Sequence, residues 1–385
     1  MGMPEQLGEM RGKRLRVAAA IADRALSETV QLVGISTPSG DAAAAELAVA
    51  AAISMLPPEA EVERVPCSSP DHADDLLARL RGTGRARIVL VGHLDTVVAH
   101  ERHQGASAEG NRLRGSGTVD MKGGDAIALG VLRWLAERAD LFAEVALLFV
   151  NDEEFRTSPF HHGPRFAGFD ACLTFEGGER LADGSEALVV KRKAASAIRV
   201  VANGVAAHSG ANPDHGRSSL LALAAVAQRL ASLHDSNGKD ALTVVPTMIN
   251  AGEALNAVPA GGELIVDMRA DHEDAFAPVI AAVPNDIDGV GLSVERLRLW
   301  PGMDARELAA PVIAKAATAI GRPVAGASRG GASDASNIAP FVPLSIDGLG
   351  PLGGFAHNPH EHLLLDSLAP RAELALAVVE ALLDV

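Results

Sequence analysis

Residues 87–95 read RIVLVGHLD, an apolar run followed by Gly92, His93, Leu94 and Asp95. This pattern is typical of a buried strand in a parallel sheet, with polar residues beginning at its carboxyl end. Two more apolar runs have the same form, because residues 145–150 precede NDEE (151–154) and residues 171–175 precede Glu176. Between them, Asp125–Arg138 carries apolar residues at helical spacing. Strands alternating with helices predict an α/β fold with a mixed, largely parallel sheet between helices.

The order of elements changes after Lys193. The expected elements are strand 196–202, helix 218–233, strands 242–251 and 263–270, helix 274–282 and strand 292–297. This β-α-β-β-α-β order is that of a ferredoxin-like α+β domain. An α/β pattern then resumes, with a helix predicted at Glu307–Ile320, a strand at Val342–Ile346 and a helix at Ser367–Leu383. We therefore predict an inserted domain at 192–298 and a discontinuous first domain made of residues 1–191 and 299–385.

Composition excludes several classes of protein. The net charge of −15 lacks the basic surface that nucleic acids and anionic membranes require. Cys67 and Cys172 are the only cysteines, so neither a disulfide framework nor a thiolate zinc site is expected. The apolar run Val17–Ala22 is too short to span a bilayer, and no cleavage-site pattern follows it. We therefore expect a cytoplasmic protein.

Acidic and imidazole residues follow the predicted strands and should meet at one edge of the sheet. The carboxyl ends of parallel strands form the ligand-binding edge of such folds, which places His93, Glu153, Glu154 and Glu176 together. The glycine-rich stretch GSGTVDMKGG (115–124) would bring Asp120 to them. So much negative charge repels itself unless cations lie within it. Oxygen and imidazole ligands suit zinc, manganese or cobalt, so with one more histidine we predict two divalent ions bridged by Asp120.

Two neighbours of these ligands have predicted supporting roles. A metal-binding histidine usually donates its second ring nitrogen to a carboxylate, and Asp95 lies two residues after His93. Adjacent glutamates on extended backbone point in different directions. We therefore assign Glu154 to the metal and Glu153 to proton transfer as a general base.

Nine stretches together resemble the co-catalytic zinc peptidases and deacylases, a family that includes glutamate carboxypeptidase, acetylornithine deacetylase and succinyl-diaminopimelate desuccinylase. They follow the family order and are GHLDTV (92–97), GSGTVDMKGG (115–124), NDEE (151–154), FEGG (175–178), AHSG (207–210), LNAVP (255–259), VDMR (266–269), GGASDAS (330–336) and HNPHE (357–361). The resemblance implies a zinc-peptidase-like catalytic domain and an inserted dimerisation, or lid, domain. It also implies a cis peptide between Asp120 and Met121.

The resemblance also implies a role for each matching residue. The implied metal ligands are His93, Asp120, Glu154, Glu176 and His357. His357 is preferred to His360 and His362 because the family has a His-x-x-x-Glu spacing, which Glu361 completes. Glu153 would be the acid/base, Asp95 the partner of His93, and His208 the donor to the oxyanion, often from the partner subunit of a dimer. The implied substrate-binding residues are Asn256, Arg269, Gly330, Gly331 and Ser333.

The implied activity is metal-dependent hydrolysis of an amide bond in a small substrate with a free carboxylate, nearest to that of glutamate carboxypeptidase. The implied cofactors are two divalent ions per subunit, with zinc preferred and cobalt or manganese as alternatives. An N-acyl amino acid deacylase, a dipeptidase and a non-enzymatic binding protein remain alternatives. A homodimer formed through the inserted domain is implied. His161 and His162, in the loop after Glu154, are expected to be solvated or to face the substrate.

Overall fold

The computed structural model describes residues 3–384, with the side chains of residues 3–8 and 10 left undescribed. The predicted first domain also includes residues 1, 2 and 385, which lie outside the described part. The chain folds into two compact units. The first contains the described residues up to Lys191, Asp304–Ser328 and the described residues from Ser333 onward. The second contains Arg192–Met303 and Arg329–Ala332, so it continues beyond residue 298.

The α-helices of the described residues are α1 (Met3–Val33), α2 (Ala42–Met55), α3 (Gly123–Ala136), α4 (Ser219–Ala231), α5 (Phe276–Ala281), α6 (Arg306–Ile320), α7 (Asp334–Ile338) and α8 (Leu368–Leu383). Helix α2 is capped at its start, since the Asp41 carboxylate accepts a hydrogen bond from the Ala44 N–H at 2.9 Å. No helix within residues 3–384 combines the length and the apolar character needed to cross a membrane.

The strands in chain order are β1 (Glu61–Val65), β2 (Asp75–Arg81), β3 (Ala86–His93), β4 (Ser107–Glu109), β5 (Arg112–Arg114), β6 (Phe142–Val150), β7 (Ala171–Thr174), β8 (Glu179–Arg180), β9 (Glu186–Arg192), β10 (Ala194–Asn203), β11 (Ala207–His208), β12 (Thr243–Ala251), β13 (Ala257–Val258), β14 (Gly261–Ala270), β15 (Asp286–Ile287), β16 (Val290–Trp300), β17 (Met303–Asp304), β18 (Val324–Arg329), β19 (Ser345–Ile346), β20 (Gly353–Gly354) and β21 (His362–Leu364).

The first unit is built on a six-stranded sheet with the order β1-β2-β6-β3-β7-β19. Strand β3 runs parallel to β6 and β7, and β19 runs parallel to β7, whereas β1 and β2 are antiparallel additions. The predicted mixed, largely parallel sheet is therefore confirmed. Its central strands consist of buried aliphatic residues because helices cover the sheet. The carboxyl ends of β3, β6 and β7 consequently share one edge.

Small side chains let the helices of this unit pack closely. Helix α1 packs against α3 and α8, and α6 packs against α8. Buried alanines such as Ala25, Ala128 and Ala375 belong to the same core as the large side chains of Phe149 and Phe175. This composition explains how a chain with 3% aromatic residues builds a continuous core.

Three features of the first unit differ from expectation. Strands β1 and β2 were not predicted, because EVERV and DLLARLR contain charged residues that hide the strand pattern. The strand expected at Val342–Ile346 is shorter, since only Ser345 and Ile346 pair with β7. Helix α3 covers Gly123–Ala136, so it begins two residues before the predicted Asp125.

The second unit is an antiparallel α+β domain. Its sheet has the order β12-β14-β10-β16-β15, and the chain runs β10, α4, β12, β14, α5, β16. This is the β-α-β-β-α-β order predicted from the sequence. Helices α4 and α5 cover one face, where Leu223 and Phe276 pack with Ile198. The last strand was predicted to end at Leu297 but reaches Trp300, which lengthens the unit.

We predict that Gly124→Ala destabilises the first unit, because a Cβ at this position would lie 1.8 Å from the carbonyl oxygen of Phe175. Overpacking against backbone costs about 1–3 kcal/mol, so the free energy of unfolding should fall by at least about 2 kcal/mol in urea titrations. Gly105→Ala is the matched control, since a Cβ there meets no atom within 4 Å. Equal unfolding midpoints for the two variants would contradict this packing argument.

Candidate metal centre and active site

The predicted ligands meet at the carboxyl edge of the first unit's sheet. His93 ends β3, Glu154 follows β6, and Glu176 follows β7 by two residues. Ligand atoms of His93, Asp120 and Glu154 all lie within 4.8 Å of one another. His93 Nε2 also lies 3.8 Å from Glu176 Oε1, so the strand ends bring together side chains that are up to 83 positions apart in the sequence.

Asp120 divides these side chains into two sets. Its Oδ1 lies 3.2 Å from His93 Nε2, which in turn lies 3.8 Å from Glu176 Oε1. Its Oδ2 lies 3.1 Å from His357 Nε2, which lies 2.9 Å from Glu154 Oε2. The two oxygens of one carboxylate thus face two different histidines. This arrangement is what a carboxylate needs in order to bridge two cations.

The chemistry of this donor set fits two divalent ions. Three carboxylates and two imidazoles converge here, and His93 is fully buried. Such a set without thiolates matches the ligand preferences of zinc, manganese and cobalt. Three neighbouring carboxylates would repel one another, and two dications would compensate their charge. His93, Glu176 and Asp120 would hold one ion, while His357, Glu154 and Asp120 would hold the other.

Asp95 supports both the histidine and the glutamate pair. Its carboxylate accepts the backbone N–H groups of Glu153 at 3.2 Å and of Glu154 at 3.0 Å. His93 Nδ1 lies 3.1 Å from the Asp95 carbonyl oxygen and 3.4 Å from Asp95 Oδ1. A proton on Nδ1 would satisfy these acceptors and leave Nε2 free to bind a metal. Asp95 thereby orients ligands from two different strands.

The turn that carries Asp120 is held from two sides. It forms a short π-helical turn at Thr118–Lys122, and the Asp120–Met121 peptide bond is cis, as the resemblance implied. The buried Glu361 carboxylate accepts the N–H groups of Gly117, Val119 and Asp120 at 2.9, 3.0 and 3.2 Å. The buried Lys122 ammonium donates to carbonyl oxygens at the end of α1, those of Leu32 and Ile35.

Glu153 directly precedes the proposed ligand Glu154, and its backbone N–H donates to the Asp95 carboxylate. Desolvation raises the pKa of its carboxyl well above the usual range, and the negative charges of Glu176 and Asp334 raise it further. A carboxyl of raised pKa next to a metal centre is suited to accepting and returning a proton.

Arg156 is a residue of this region that sequence reasoning missed. Its guanidinium side chain is only 5% exposed and is paired with two carboxylates. Nε and Nη2 donate to Asp152 at 3.0 and 2.7 Å, and Nη1 donates to Asp334 at 2.7 Å. Asp334 opens α7, which is 178 positions away in the sequence. The arginine therefore connects the loop of Glu153 and Glu154 to the start of α7. In the sequence, the only indication of this role was an arginine directly after the acidic stretch NDEEF (151–155).

The expectation for His162 was wrong. This histidine is buried and bonds through Nε2 to Asp75 Oδ2 at 2.9 Å, so it is neither solvated nor free to face a substrate. Burial lowers the pKa of its imidazole to about 4, which keeps the ring neutral at pH 7. His161 is exposed, and its Nε2 lies 3.0 Å from the carbonyl oxygen of Pro66. Both residues attach the loop after Glu154 to the segment that runs from the end of β1 to the start of β2.

The second unit carries His208 and Asn256 close together. Strand β11 pairs with β13, and the N–H of Ser209 donates to the carbonyl oxygen of Asn256 at 3.0 Å. His208 Nδ1 accepts the N–H groups of Gly210 at 3.1 Å and of Ala211 at 3.2 Å. Because Nδ1 acts as an acceptor, the ring proton belongs on Nε2. The exposed His208 thus presents an N–H donor to its surroundings.

The remaining substrate-binding candidates are found in different settings. Arg269, on β14, donates through Nε to Asp267 at 3.0 Å, so part of its fork is already paired. Gly330 and Gly331 are exposed in the second unit, and Arg192 donates to the carbonyl oxygen of Gly331 at 2.9 Å. Ser333 is buried in the first unit, where its hydroxyl donates to Asp347 at 2.6 Å.

The α/β fold and the paired sets of ligands define a metal-dependent hydrolase of the peptidase and amidohydrolase class. Residues 89–381 match the model of a family described as Peptidase family M20/M25/M40. The chain belongs to this family, whose members typically bind two metal ions.

Two curated relatives and one solved structure illustrate the similarity. Carboxypeptidase G2 of Pseudomonas sp. (strain RS-16) is 28% identical over 283 residues, or 70% of this chain and 66% of that protein. Succinyl-diaminopimelate desuccinylase of Methylobacterium sp. (strain 4-46) is 30% identical over 353 residues, or 83% of this chain and 87% of that protein. The YXEP protein of Bacillus subtilis, a dinuclear metal-binding M20 peptidase, has a TM-score of 0.66 and 15% identity over 94% of this chain and 98% of its own. This last likeness concerns the fold alone.

We predict that Asp95→Asn weakens divalent-ion binding by about 10–100-fold, the usual effect of losing a carboxylate that orients metal ligands. The amide would place an N–H₂ group against one of the two backbone N–H donors that Asp95 now satisfies. Competition with a chromogenic zinc chelator measures the change. Asp183→Asn, at an exposed acceptor between β8 and β9, is the control. Unchanged zinc affinity in Asp95→Asn would remove the supporting role of this carboxylate.

Proposed function

We propose that this protein hydrolyses the amide bond of a small N-acyl or peptidyl amino acid with a free carboxylate, using two zinc ions per subunit. The observation that carries the proposal is that the two carboxylate oxygens of Asp120 face two histidines, each of which has its own glutamate. Bound divalent ions would supply polarisation of the amide carbonyl and a more acidic attacking water.

Proton transfer is assigned to Glu153. Its carboxylate takes the proton of the attacking water and returns it to the leaving amine, which must be protonated before it departs. The Asp95 carboxylate holds the backbone N–H of Glu153, so the base is fixed relative to the ligands. Desolvation around Glu153 favours its protonated form once the proton has been taken.

His208 is assigned to the oxyanion that forms when the amide carbonyl is attacked. Its Nε2–H is a neutral donor held in one tautomer by Gly210 and Ala211, and a preorganised donor of this kind stabilises developing negative charge. We propose that His208 acts in a homodimer, from the partner subunit. The edge strand β12 supports this association, since it exposes Val245, Met248 and Ile249.

The carboxylate of the substrate is assigned to Asn256 and Arg269, with Gly330, Gly331 and Ser333 beside the substrate. A guanidinium offers two parallel donors to a carboxylate. Arg269 now uses that fork on Asp267, which Arg298 also contacts at 2.9 Å. Arg298 could keep its ion pair with Asp267 while the guanidinium of Arg269 binds the carboxylate of the substrate.

The similarity to carboxypeptidase G2 supports a glutamate carboxypeptidase-like reaction as the first choice. The similarity to succinyl-diaminopimelate desuccinylase supports an N-acyl amino acid deacylase as the second. A panel of N-acyl and peptidyl amino acids, assayed with zinc-loaded protein, decides between them. Release of glutamate from varied acyl groups supports the first reaction. Release of acetate or succinate from varied amino acids supports the second, and cleavage of unblocked dipeptides alone would identify a dipeptidase.

We predict that Glu153→Gln lowers kcat by at least about 10³-fold, because the amide cannot accept the proton of water. Zinc content and urea stability should stay close to those of the unmodified protein, since Glu153 is assigned to proton transfer and glutamine has nearly the same size as glutamate. Asp183→Asn again serves as the control for loss of an acidic group. Turnover near the unmodified rate in Glu153→Gln would refute its assignment as the base.

We predict that co-expressing Glu153→Gln and His208→Ala chains restores activity that neither variant has alone. If His208 acts on the partner's site, half of the dimers are mixed and one of the two sites in each is intact, which gives about a quarter of full activity. Sedimentation must show that mixed dimers form. No recovery in such dimers would place His208 on the site of its own subunit, and a purely monomeric protein would end the proposal of a shared site.

A further inference from the structure

Arg371 is a buried charged residue that has no part in the motifs of the sequence or in the proposed reaction. It lies on α8, and its side chain is fully buried. Its Nε donates to the carbonyl oxygen of Gly350 at 2.9 Å, and its Nη2 donates to that of Gly348. Its Nη1 lies 3.8 Å from Glu186 Oε2, beyond hydrogen-bond range. The hydrogen bonds of this guanidinium are therefore directed at the backbone of residues 348–350.

The backbone that Arg371 holds is bonded in turn to the loop of Glu176. Residues 348–351 read GLGP and are called the glycine segment below. The N–H of Gly350 donates to the carbonyl oxygen of Glu176 at 2.9 Å, and the N–H of Gly178 donates to that of Pro351 at 2.8 Å. Gly350 is thus bonded to the guanidinium through its C=O group and to the proposed metal ligand through its N–H group.

The guanidinium, the glycine segment and the loop of Glu176 are in close contact. A Cβ added to Gly178 would lie 2.9 Å from Arg371 Cζ, and one added to Gly350 would lie 2.7 Å from the carbonyl oxygen of Glu176. Burial of a charged guanidinium is costly unless its donors are paired. A shift of the glycine segment would leave the buried donors of Arg371 unpaired, so the arginine holds this segment in one position.

This support belongs to one half of the proposed metal centre. The loop of Glu154, in the other half, is held by Asp95 and connected to α7 by Arg156. His357 lies in the loop between β20 and β21, which pair with each other, and β21 also pairs with β5. Movement of the glycine segment should therefore displace Glu176 and leave the ligands of the other half in place.

We propose that Arg371 is a positioning residue for Glu176 and sets the affinity of the ion that Glu176 would share with His93. This inference rests on the proposed dimetal function and assigns separate supports to the two ions. Arg371 contributes no ligand atom and acts through the glycine segment. Its loss would leave the loop of Glu176 free to move, which lowers the affinity of one ion because its ligand is no longer preorganised.

The test measures zinc affinity by competition with a chromogenic chelator and locates the ions in crystals by anomalous scattering at the zinc edge. In Arg371→Met, one zinc ion should bind about 10–100-fold more weakly, whereas the affinity of the other should change less than about twofold. The position of lowered occupancy should be the one that Glu176→Gln also affects. Arg371→Lys should have an intermediate effect, because an ammonium group keeps the charge but lacks the planar fork of donors.

Arg14→Met is the matched control, because the side chain of Arg14 is only 5% exposed and lies outside the ligand loops. Its Nη1 donates to the carbonyl oxygen of Ala319 at 2.9 Å and its Nε donates to Glu380 at 2.6 Å, so it connects α1 with α6 and α8. This variant should lower the free energy of unfolding in urea and leave both zinc affinities unchanged.

The positioning role is overturned if folded Arg371→Met binds both ions as the unmodified protein does, or if it binds both more weakly to the same extent. If Arg371→Met does not fold, Arg371→Lys is judged by the same criteria, since it keeps the buried charge. Zinc occupancy also separates this inference from the proposed reaction. Selective loss of the ion at Glu176 in a protein that cleaves no amide would support the positioning role and refute the reaction. If the unmodified protein binds no zinc, both proposals fail together.

Discussion

The concentration of negative charge at one edge of the first unit's sheet is the constraint on which the rest of this structure depends. Asp120, Glu154 and Glu176 converge with Glu153 beside them, and carboxylates this close cannot all be ionised without compensating cations. Two imidazoles face the two oxygens of Asp120, which separates the site into halves of similar composition. The arrangement would be stabilised by a pair of cations, for which Asp120 would be the shared ligand.

Two supporting carboxylates hold the loops that carry the proposed ligands, because they accept hydrogen bonds from the backbone N–H groups of those loops. Asp95 accepts two hydrogen bonds, from the backbone N–H groups of Glu153 and Glu154. Glu361 accepts three, from backbone N–H groups in the turn that carries Asp120. Arg156 adds a buried ion pair to Asp152 and Asp334. Each supporting residue joins segments that are far apart in the sequence. The site is therefore assembled by the tertiary structure of the first unit, and its ligands can be positioned before a metal binds.

The two units supply different parts of the proposed reaction. The first unit contains the acidic centre and Glu153, the proposed base, whereas the second contains His208, Asn256 and Arg269, which are proposed to contact the oxyanion and the substrate carboxylate.

The sequence by itself determined the strand ends and therefore His93, Glu154 and Glu176, because parallel strands place their carboxyl ends at one edge whatever the loops do. It also determined the element order of the second unit. Only resemblance distinguished His357 from His360 and His362, since all three lie within six residues. The pairing of Arg156 with Asp334 and the burial of His162 on Asp75 were decided by the tertiary structure alone. Such contacts join residues 87 or more positions apart, and local patterns carry no information about the partner that a buried charge will find.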